Sequence, residues 1–87
     1  MDFTDKRVLI TGSSRGIGFG IAEAFIEAGA LVAINGKSSE SVSNAIEKLS
    51  NSDCLIAAPA DIRTAAGCEL VVKTAIDAFG GLDILVN

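Results

Sequence analysis

The chain has 87 residues, 49% of them hydrophobic and 21% charged, with a formal net charge of −4. That length fits one domain at most, and an acidic balance with no basic run excludes an electrostatic nucleic-acid surface. Charged or polar residues interrupt every apolar stretch, which argues against a membrane span, and Met1-Asp2-Phe3-Thr4-Asp5 is acidic where a secretory leader is basic, so a cytoplasmic location is expected.

The first predicted element is a strand from Arg7 to Thr11. It runs straight into Gly12-Ser13-Ser14-Arg15-Gly16-Ile17-Gly18, a glycine-spaced turn. Gly12 permits a tight reversal where a Cβ would clash. Gly16 lets backbone approach a phosphate closely, and Gly18 lets the following helix pack tightly on the strand. The unpaired N–H groups of that helix's first turn, with the positive end of its dipole, then face a pyrophosphate. The spacing is G-x-x-x-G-x-G, which departs from the commoner G-x-G-x-x-G fingerprint. The bland alternative is a strand-to-helix turn with no ligand.

The helix is expected from Gly16 to Ala28, with Ile17, Ile21, Ala24, Phe25 and Ala28 on one face, and Gly29 ends it. Leu31 to Asn35 reads as a second strand, apolar on both faces. Ser38 or Ser39 caps a second helix whose Val42, Ala45, Ile46 and Leu49 repeat at helical spacing, and Asn51-Ser52-Asp53 breaks it. Cys54 to Ala58 is the third strand. Thr64 caps a long helix reaching about Phe79, with Leu70, Val72, Ile76 and Phe79 among its buried candidates, and Gly80-Gly81 stops it. Leu82 to Val86 is the fourth strand. Alternating strands and helices with right-handed crossovers define an α/β fold. The expectation is a partial Rossmann fold: four parallel strands in the order 3-2-1-4, helices on both faces, truncated after strand 4. Ligands in such sheets sit beyond the carboxyl ends of the strands. Thr11 to Gly18, Asn35 to Ser38, Asp61 and Asn87 all fall at such ends.

Cys54 and Cys68 form neither a C-x-x-C pair nor a disulfide framework, and are expected as reduced, buried, small apolar side chains. No metal site is expected. The chain contains no Tyr and no His, so no residue is assigned a catalytic role. Ser13 and Ser14 have no base to activate them and belong to the phosphate turn. Glu23 and Glu27 read as solvated charges on an exposed helix face.

Three segments, Thr11-Gly12-Ser13-Ser14-Arg15-Gly16-Ile17-Gly18 after a strand, Ala60-Asp61-Ile62, and Asp83 to Asn87, occur in order and together resemble the short-chain dehydrogenase/reductases. The resemblance runs from about Lys6 to Asn87 and reaches the first third of a typical member. It implies that residues 1–87 are the N-terminal part of a dinucleotide-binding Rossmann domain. The family's catalytic Ser and Tyr-x-x-x-Lys pair would then lie beyond Asn87, where its Asn-Asn-Ala-Gly segment is cut after the first Asn. It also implies that the Asp61 carboxylate accepts from the adenine amino group, that the Ile62 N–H contacts the ring, and that Asn87 sits beside the adenosine ribose. Without the family, Asp61 reads as a cap-like residue before a helix and Asn87 as a terminus.

Gly36 stands where NAD-preferring relatives carry Asp, and Lys37 follows it. A carboxylate there would repel a 2′-phosphate, whereas Lys37 and the forked guanidinium of Arg15 would attract one. The expected cofactor is NADP, and Gly36→Asp is expected to push selectivity toward NADH. The expected contact set is Gly12, Ser13, Ser14, Arg15, Gly16, Ile17, Gly18, Asn35, Lys37, Asp61, Ile62 and Asn87. The function this implies is carbonyl reduction with NADPH by the parent enzyme, a 3-oxoacyl group being the leading substrate on family frequency, with the chain alone inactive. The alternative is a non-catalytic nucleotide-binding or structural half-Rossmann module. Either way, the apolar fourth strand is an open edge that invites self-association.

Overall fold

The computed structural model describes residues 2–49 and 52–87. Its elements follow in the order β1 (Arg7–Ile10), α1 (Gly16–Glu27), β2 (Leu31–Ile34), α2 (Ser39–Lys48), a 3-10 turn (Ser52–Cys54), β3 (Leu55–Ala57), α3 (Ala65–Phe79) and β4 (Ile84–Val86). The four strands form one parallel sheet in the order β3-β2-β1-β4. This is the expected α/β half-Rossmann architecture. Each strand lies within its predicted limits and is one or two residues shorter. Asn51, expected among the breakers of α2, lies outside the described residues.

β1 is the central strand. Val8 faces Val32 on one side and Ile84 on the other, and Ile10 likewise lies between Ile34 and Val86. Because side chains alternate along a strand, Val8, Ile10, Val32, Ile34 and Leu55 point to one face. There they pack with Ala22 of α1 and with Val42, Ala45 and Leu49 from α2 and its end. Leu9 and Ala33 point to the other face and meet Ala58, Val71 and Ala75. Helices α1 and α2 thus cover one side and α3 the other.

The helix ends obey local rules. Ser38 Oγ accepts the Ser41 N–H at 3.1 Å, and Thr64 Oγ1 accepts the Gly67 N–H at 2.9 Å, each satisfying a first-turn donor. Gly29 and Gly80 hold positive φ values of 94° and 79° where α1 and α3 stop, a backbone region open to glycine.

Two helix faces differ from the sequence expectation. In α1, Ile17 is 86% exposed and Ala24 is also exposed, Ala22 is the buried residue, and Ile21 and Phe25 of the expected face pack half-buried against the core. In α3, Leu70 and Ile76 are exposed, Val72 and Phe79 are half-buried, and the inward line is Gly67, Val71 and Ala75. In α1 the residues are apolar nearly all round, so period alone leaves its rotation open, and close approach to backbone turns the smallest residues inward. In α3, Glu69, Lys73 and Asp77 recur four apart as a charged stripe beside which Leu70 and Ile76 fall, and Gly67, Val71 and Ala75 turn the opposite way. A Cβ on Gly67 would sit 1.8 Å from the carbonyl oxygen of Asp61, and one on Gly18 would sit 2.3 Å from that of Gly12. The cysteines also differ: Cys68 is exposed, its thiol donating to the Ile62 carbonyl at 3.0 Å, and Cys54 is half-buried, with burial raising its thiol pKa.

One ion pair ties the approach to β4 to the start of β1. Arg7, the first residue of β1, donates from its backbone N–H to Asp83 Oδ2 at 2.8 Å, from Nε to the same oxygen at 2.9 Å, and from Nη2 to Oδ1 at 3.0 Å. The guanidinium holds the Asp83 carboxyl far below the usual carboxylate range. Gly81 leaves room for it, since a Cβ there would lie 2.5 Å from Arg7 Nη1.

Candidate dinucleotide site

The turn after β1 is held from beneath. Ser13 and Asn35 are both buried, and a buried polar group must find partners. Ser13 Oγ donates to the Ile10 carbonyl at 2.7 Å and accepts the Asn35 N–H at 2.9 Å. Asn35 Oδ1 accepts the Gly12 N–H at 2.9 Å, while its Nδ2 donates to the carbonyls of Ala58, at 2.9 Å, and Ala60, at 3.3 Å. The Asn35 carbonyl accepts the N–H groups of Ser13 and Ser14 at 2.8 and 3.1 Å. Asn35 therefore fastens the segments that follow β1, β2 and β3 to one point. Ser13 and Asn35, both in the expected contact set, turn their polar atoms onto the protein's own backbone.

Gly12 and Gly16 carry φ values of 61° and 63°. Nothing lies within 4 Å of a Cβ placed on either, so the sign of φ demands glycine at Gly12, not the expected clash. Gly18 packs against the turn itself, where packing on the strand was expected. Arg15 occupies the N-cap of α1 without a side-chain cap bond. The donors of that first turn thus receive no cap from it.

Above this support the strand ends enclose two adjoining hollows. One, of about 530 Å³, is lined by Ser14, Arg15, Lys37, Ser38 and Ser41. It holds two cations and three hydroxyls and no carboxylate. The other, of about 230 Å³, runs from Gly12, Ser14 and Arg15 across Asn35, Gly36 and Lys37 to Ala60, Asp61, Ile62 and Arg63. Seven of the expected contact residues therefore meet around the smaller hollow. Gly16, Ile17 and Gly18 form the start of α1 beside it. Asn87 lies at the end of β4, its Oδ1 accepting from the Thr11 hydroxyl at 3.4 Å, and lines a separate crevice of about 80 Å³ with Thr11, Ile62 and Leu85. A hollow of about 510 Å³ among Phe3, Ala24, Phe25, Glu27 and Ala28 offers one carboxylate and no cation, so it lacks the converging polar groups of a cofactor site.

Asp61 is already engaged. Its Oδ1 accepts the Arg63 N–H and Nε, both at 3.0 Å, and its Oδ2 accepts Arg63 Nη2 at 2.9 Å. Those bonds, with a smaller contribution from the charge of Lys37, hold its pKa at about 2. The carboxylate is thus an ionised acceptor at any neutral pH, with lone pairs to spare on Oδ2.

The expected contact set left out Ser38 and Ser41, which line the larger hollow, and Arg63, which forks onto Asp61. The two serines carried a readable signal, since a cap three residues before a second hydroxyl at the end of a strand puts both at the ligand edge.

These features define a class. A family model described as short chain dehydrogenase matches residues 6–87, and the chain belongs to the short-chain dehydrogenase/reductase family. It is 39% identical over 88 aligned positions to the uncharacterized oxidoreductase YvrD of Bacillus subtilis, covering 100% of this chain and 33% of that one. It superposes with a TM-score of 0.88 and 35% identity on L-sorbose reductase from Gluconobacter frateurii complexed with NADPH and L-sorbose, covering 100% of this chain and 34% of that one. The 3-ketoacyl-(acyl-carrier-protein) reductase from Brucella melitensis complexed with NADH gives 0.87 and 32%, with 97% and 34% covered. The chain thus spans about a third of the length of these relatives and corresponds to the N-terminal, nucleotide-binding portion of the family. Among the described residues, no helix is long and apolar enough to cross a membrane, and no group of three His, Cys, Asp or Glu is placed to hold a metal.

Proposed function

We propose that residues 1–87 form the NADP-binding part of a Rossmann domain, and that the complete oxidoreductase reduces a carbonyl, such as a 3-oxoacyl group, with NADPH. One observation carries the reading: Arg15 and Lys37 share a hollow with Ser14, Ser38 and Ser41, and no carboxylate lines it. A 2′-phosphate needs concentrated positive charge and donors, and a guanidinium supplies them as a planar fork. The first-turn backbone of α1, at Gly16, Ile17 and Gly18, receives the pyrophosphate. Asp61 accepts from the adenine amino group, the Ile62 N–H meets the ring, and Asn87 borders the ribose. Ser13 and Asn35 act from below, holding Gly12 and the turn in place. The bound cofactor supplies the hydride. With no Tyr and no His in this chain, the proton donor for the carbonyl oxygen belongs to the complete enzyme, and the 87 residues alone turn over no substrate.

Similar proteins carry either dinucleotide, the sorbose reductase NADPH and the ketoacyl reductase NADH. Selectivity therefore has to be argued from this chain's own residues. In a calorimetric titration NADPH is expected to bind at least about tenfold more tightly than NADH, since each charge-assisted contact contributes about 1.5–3 kcal/mol. Replacing both Arg15 and Lys37 by Ala removes most of that preference. Equal affinities in the unmodified chain would return both cations to the solvated surface.

A further inference from the structure

The end of the smaller hollow beyond β3 is built around one carboxylate, and the backbone that carries it is pinned. The Asp61 carbonyl accepts the Thr64 hydroxyl at 3.1 Å and the Thr64 N–H at 3.3 Å. Just before it, the Ala60 N–H donates to the Gly36 carbonyl at 3.0 Å, and the Ala60 carbonyl accepts Asn35 Nδ2 at 3.3 Å. Only the Asp61 side chain remains to be set. An ionised carboxylate offers about four acceptor positions, two on each oxygen. Arg63 takes three of them: Oδ1 receives its N–H and its Nε, and Oδ2 receives its Nη2. The bond from the backbone N–H alone would hold one oxygen and let the group turn. The fork sets its plane as well, because a guanidinium presents two parallel donors in one rigid plane. One acceptor position is left, on Oδ2. Arg63 keeps 72% of its side-chain surface in water, so the pair contributes little to stability, yet both residues line the hollow.

We propose that Arg63 is a positioning residue for the purine base: by occupying three acceptor positions of Asp61 and fixing the carboxylate plane, it leaves a single acceptor of set direction, which a 6-amino purine fills and a 6-keto purine cannot. This rests on the reading of Asp61 as the adenine acceptor and deepens it, because base selectivity then belongs to the Asp61–Arg63 unit and not to the carboxylate alone. The same guanidinium offsets the charge of Asp61, so a phosphate-bearing ligand meets Arg15, Lys37 and Arg63 against one carboxylate. A lysine at position 63 would keep that charge and supply no fork.

The test separates the base from the phosphates. The full chain is titrated calorimetrically with ADP and with inosine diphosphate, whose base carries a carbonyl where adenine carries the amino group. Both present the same diphosphate to the turn, so the ratio of their affinities reads the base. The unmodified chain is expected to bind ADP at least about tenfold more tightly, as a site built to pair with a donor rejects a ligand that lacks it. Arg63→Lys, which keeps the charge, is expected to bind inosine diphosphate as the unmodified chain does, while the ratio falls to about threefold or less because the acceptor has lost its direction. Arg63→Ala is expected to weaken both ligands and to lose the ratio as well. Asp61→Asn, which can turn an amide donor toward a carbonyl, is expected to abolish the preference. Circular dichroism checks that each variant is folded. A preference that Asp61→Asn abolishes and both Arg63 variants retain in full would overturn the role of Arg63 and leave the reading of Asp61 intact. A preference that survives Asp61→Asn, equal affinities in the unmodified chain, or binding of neither ligand would overturn the reading of Asp61 and the proposal with it.

Discussion

At the scale of single residues, Asn35 has the most to lose. Its side chain binds three backbone groups in the two segments that follow β1 and β3, the Gly12 N–H and the Ala58 and Ala60 carbonyls. Replacing it with Ala strands the buried Ala58 carbonyl and leaves the part-buried Gly12 N–H and Ala60 carbonyl without this partner, and an unsatisfied buried group costs about 1–3 kcal/mol. Asn35→Ala is therefore expected to lower unfolding free energy by on the order of 3 kcal/mol in urea titration. Asn35→Asp is expected to be at least as harmful, because a carboxylate oxygen would then face two carbonyls. A midpoint unchanged by Asn35→Ala would show that the node carries no stability. Position at a strand end made Arg15, Lys37 and Asp61 legible in the sequence, since the topology alone assigns strand ends to the ligand edge. The role of Asn35 was not legible in that way. Whether an amide at a strand end looks outward to a ligand or inward to neighbouring loops depends on distances across the sheet, which no local pattern encodes. The same holds for Arg63 on Asp61.

At the scale of elements, β4 is held to β1 by three backbone pairings and by the Arg7–Asp83 pair. The depressed pKa of Asp83 sets the sign of its pH dependence. Its folded value lies below the unfolded one, near 3.9, so its contribution is fully present above about pH 5 and is lost as pH falls through about 4 toward the folded value. Asp61, held at about 2 by Arg63, acts in the same direction over the same window. Chemical unfolding followed from pH 6 to pH 2 should show a falling stability that is less steep in Asp83→Asn. Added salt should shrink the difference, since both partners of the Arg7–Asp83 pair keep about a third of their side-chain surface in water. A variant as acid-sensitive as the parent would mean the pair is idle. The elements themselves were the most legible part of the chain. Ser38 and Thr64 announce helix starts through local hydrogen bonding, and α2, with one apolar face, turns the expected Val42, Ala45 and Leu49 inward with Ile46 half-buried beside them. The rotation of α1 was not legible, because its apolar residues surround the axis and tertiary contact decides which side turns in, whereas in α3 the charged stripe of Glu69, Lys73 and Asp77 marked an outward side on which Leu70 and Ile76 lie.

At the scale of the molecule, the two faces of the sheet are unequally covered. Two helices bury ten residues on one side, and one helix buries five on the other. Leu70, Ile76 and Leu85 remain 53%, 41% and 48% exposed on or beside α3 and the outer strand. β4 itself presents an outer edge with no strand on it among the described residues. Such an edge beside exposed apolar side chains favours pairing with another chain. Light scattering of the 87-residue chain is expected to show a mass above the monomer that rises with concentration, and Leu85→Lys to reduce it. A monodisperse folded monomer at high concentration would contradict this.

The strand order also has a consequence for how the molecule is made. β1 is the first of the four strands to be synthesised and lies between β2 and β4, yet β4 is the last of the four, and Arg7 and Asp83 are 76 residues apart. Contacts so distant along the chain carry a large loop-closure cost and form late. The turn after β1, fastened through Asn35 by bonds that each span no more than 25 residues, can assemble while β4 is still being added. Translation would therefore produce the nucleotide cradle before β4 joins the sheet, and a nascent chain halted shortly after α3 would already hold the phosphate turn in its finished shape.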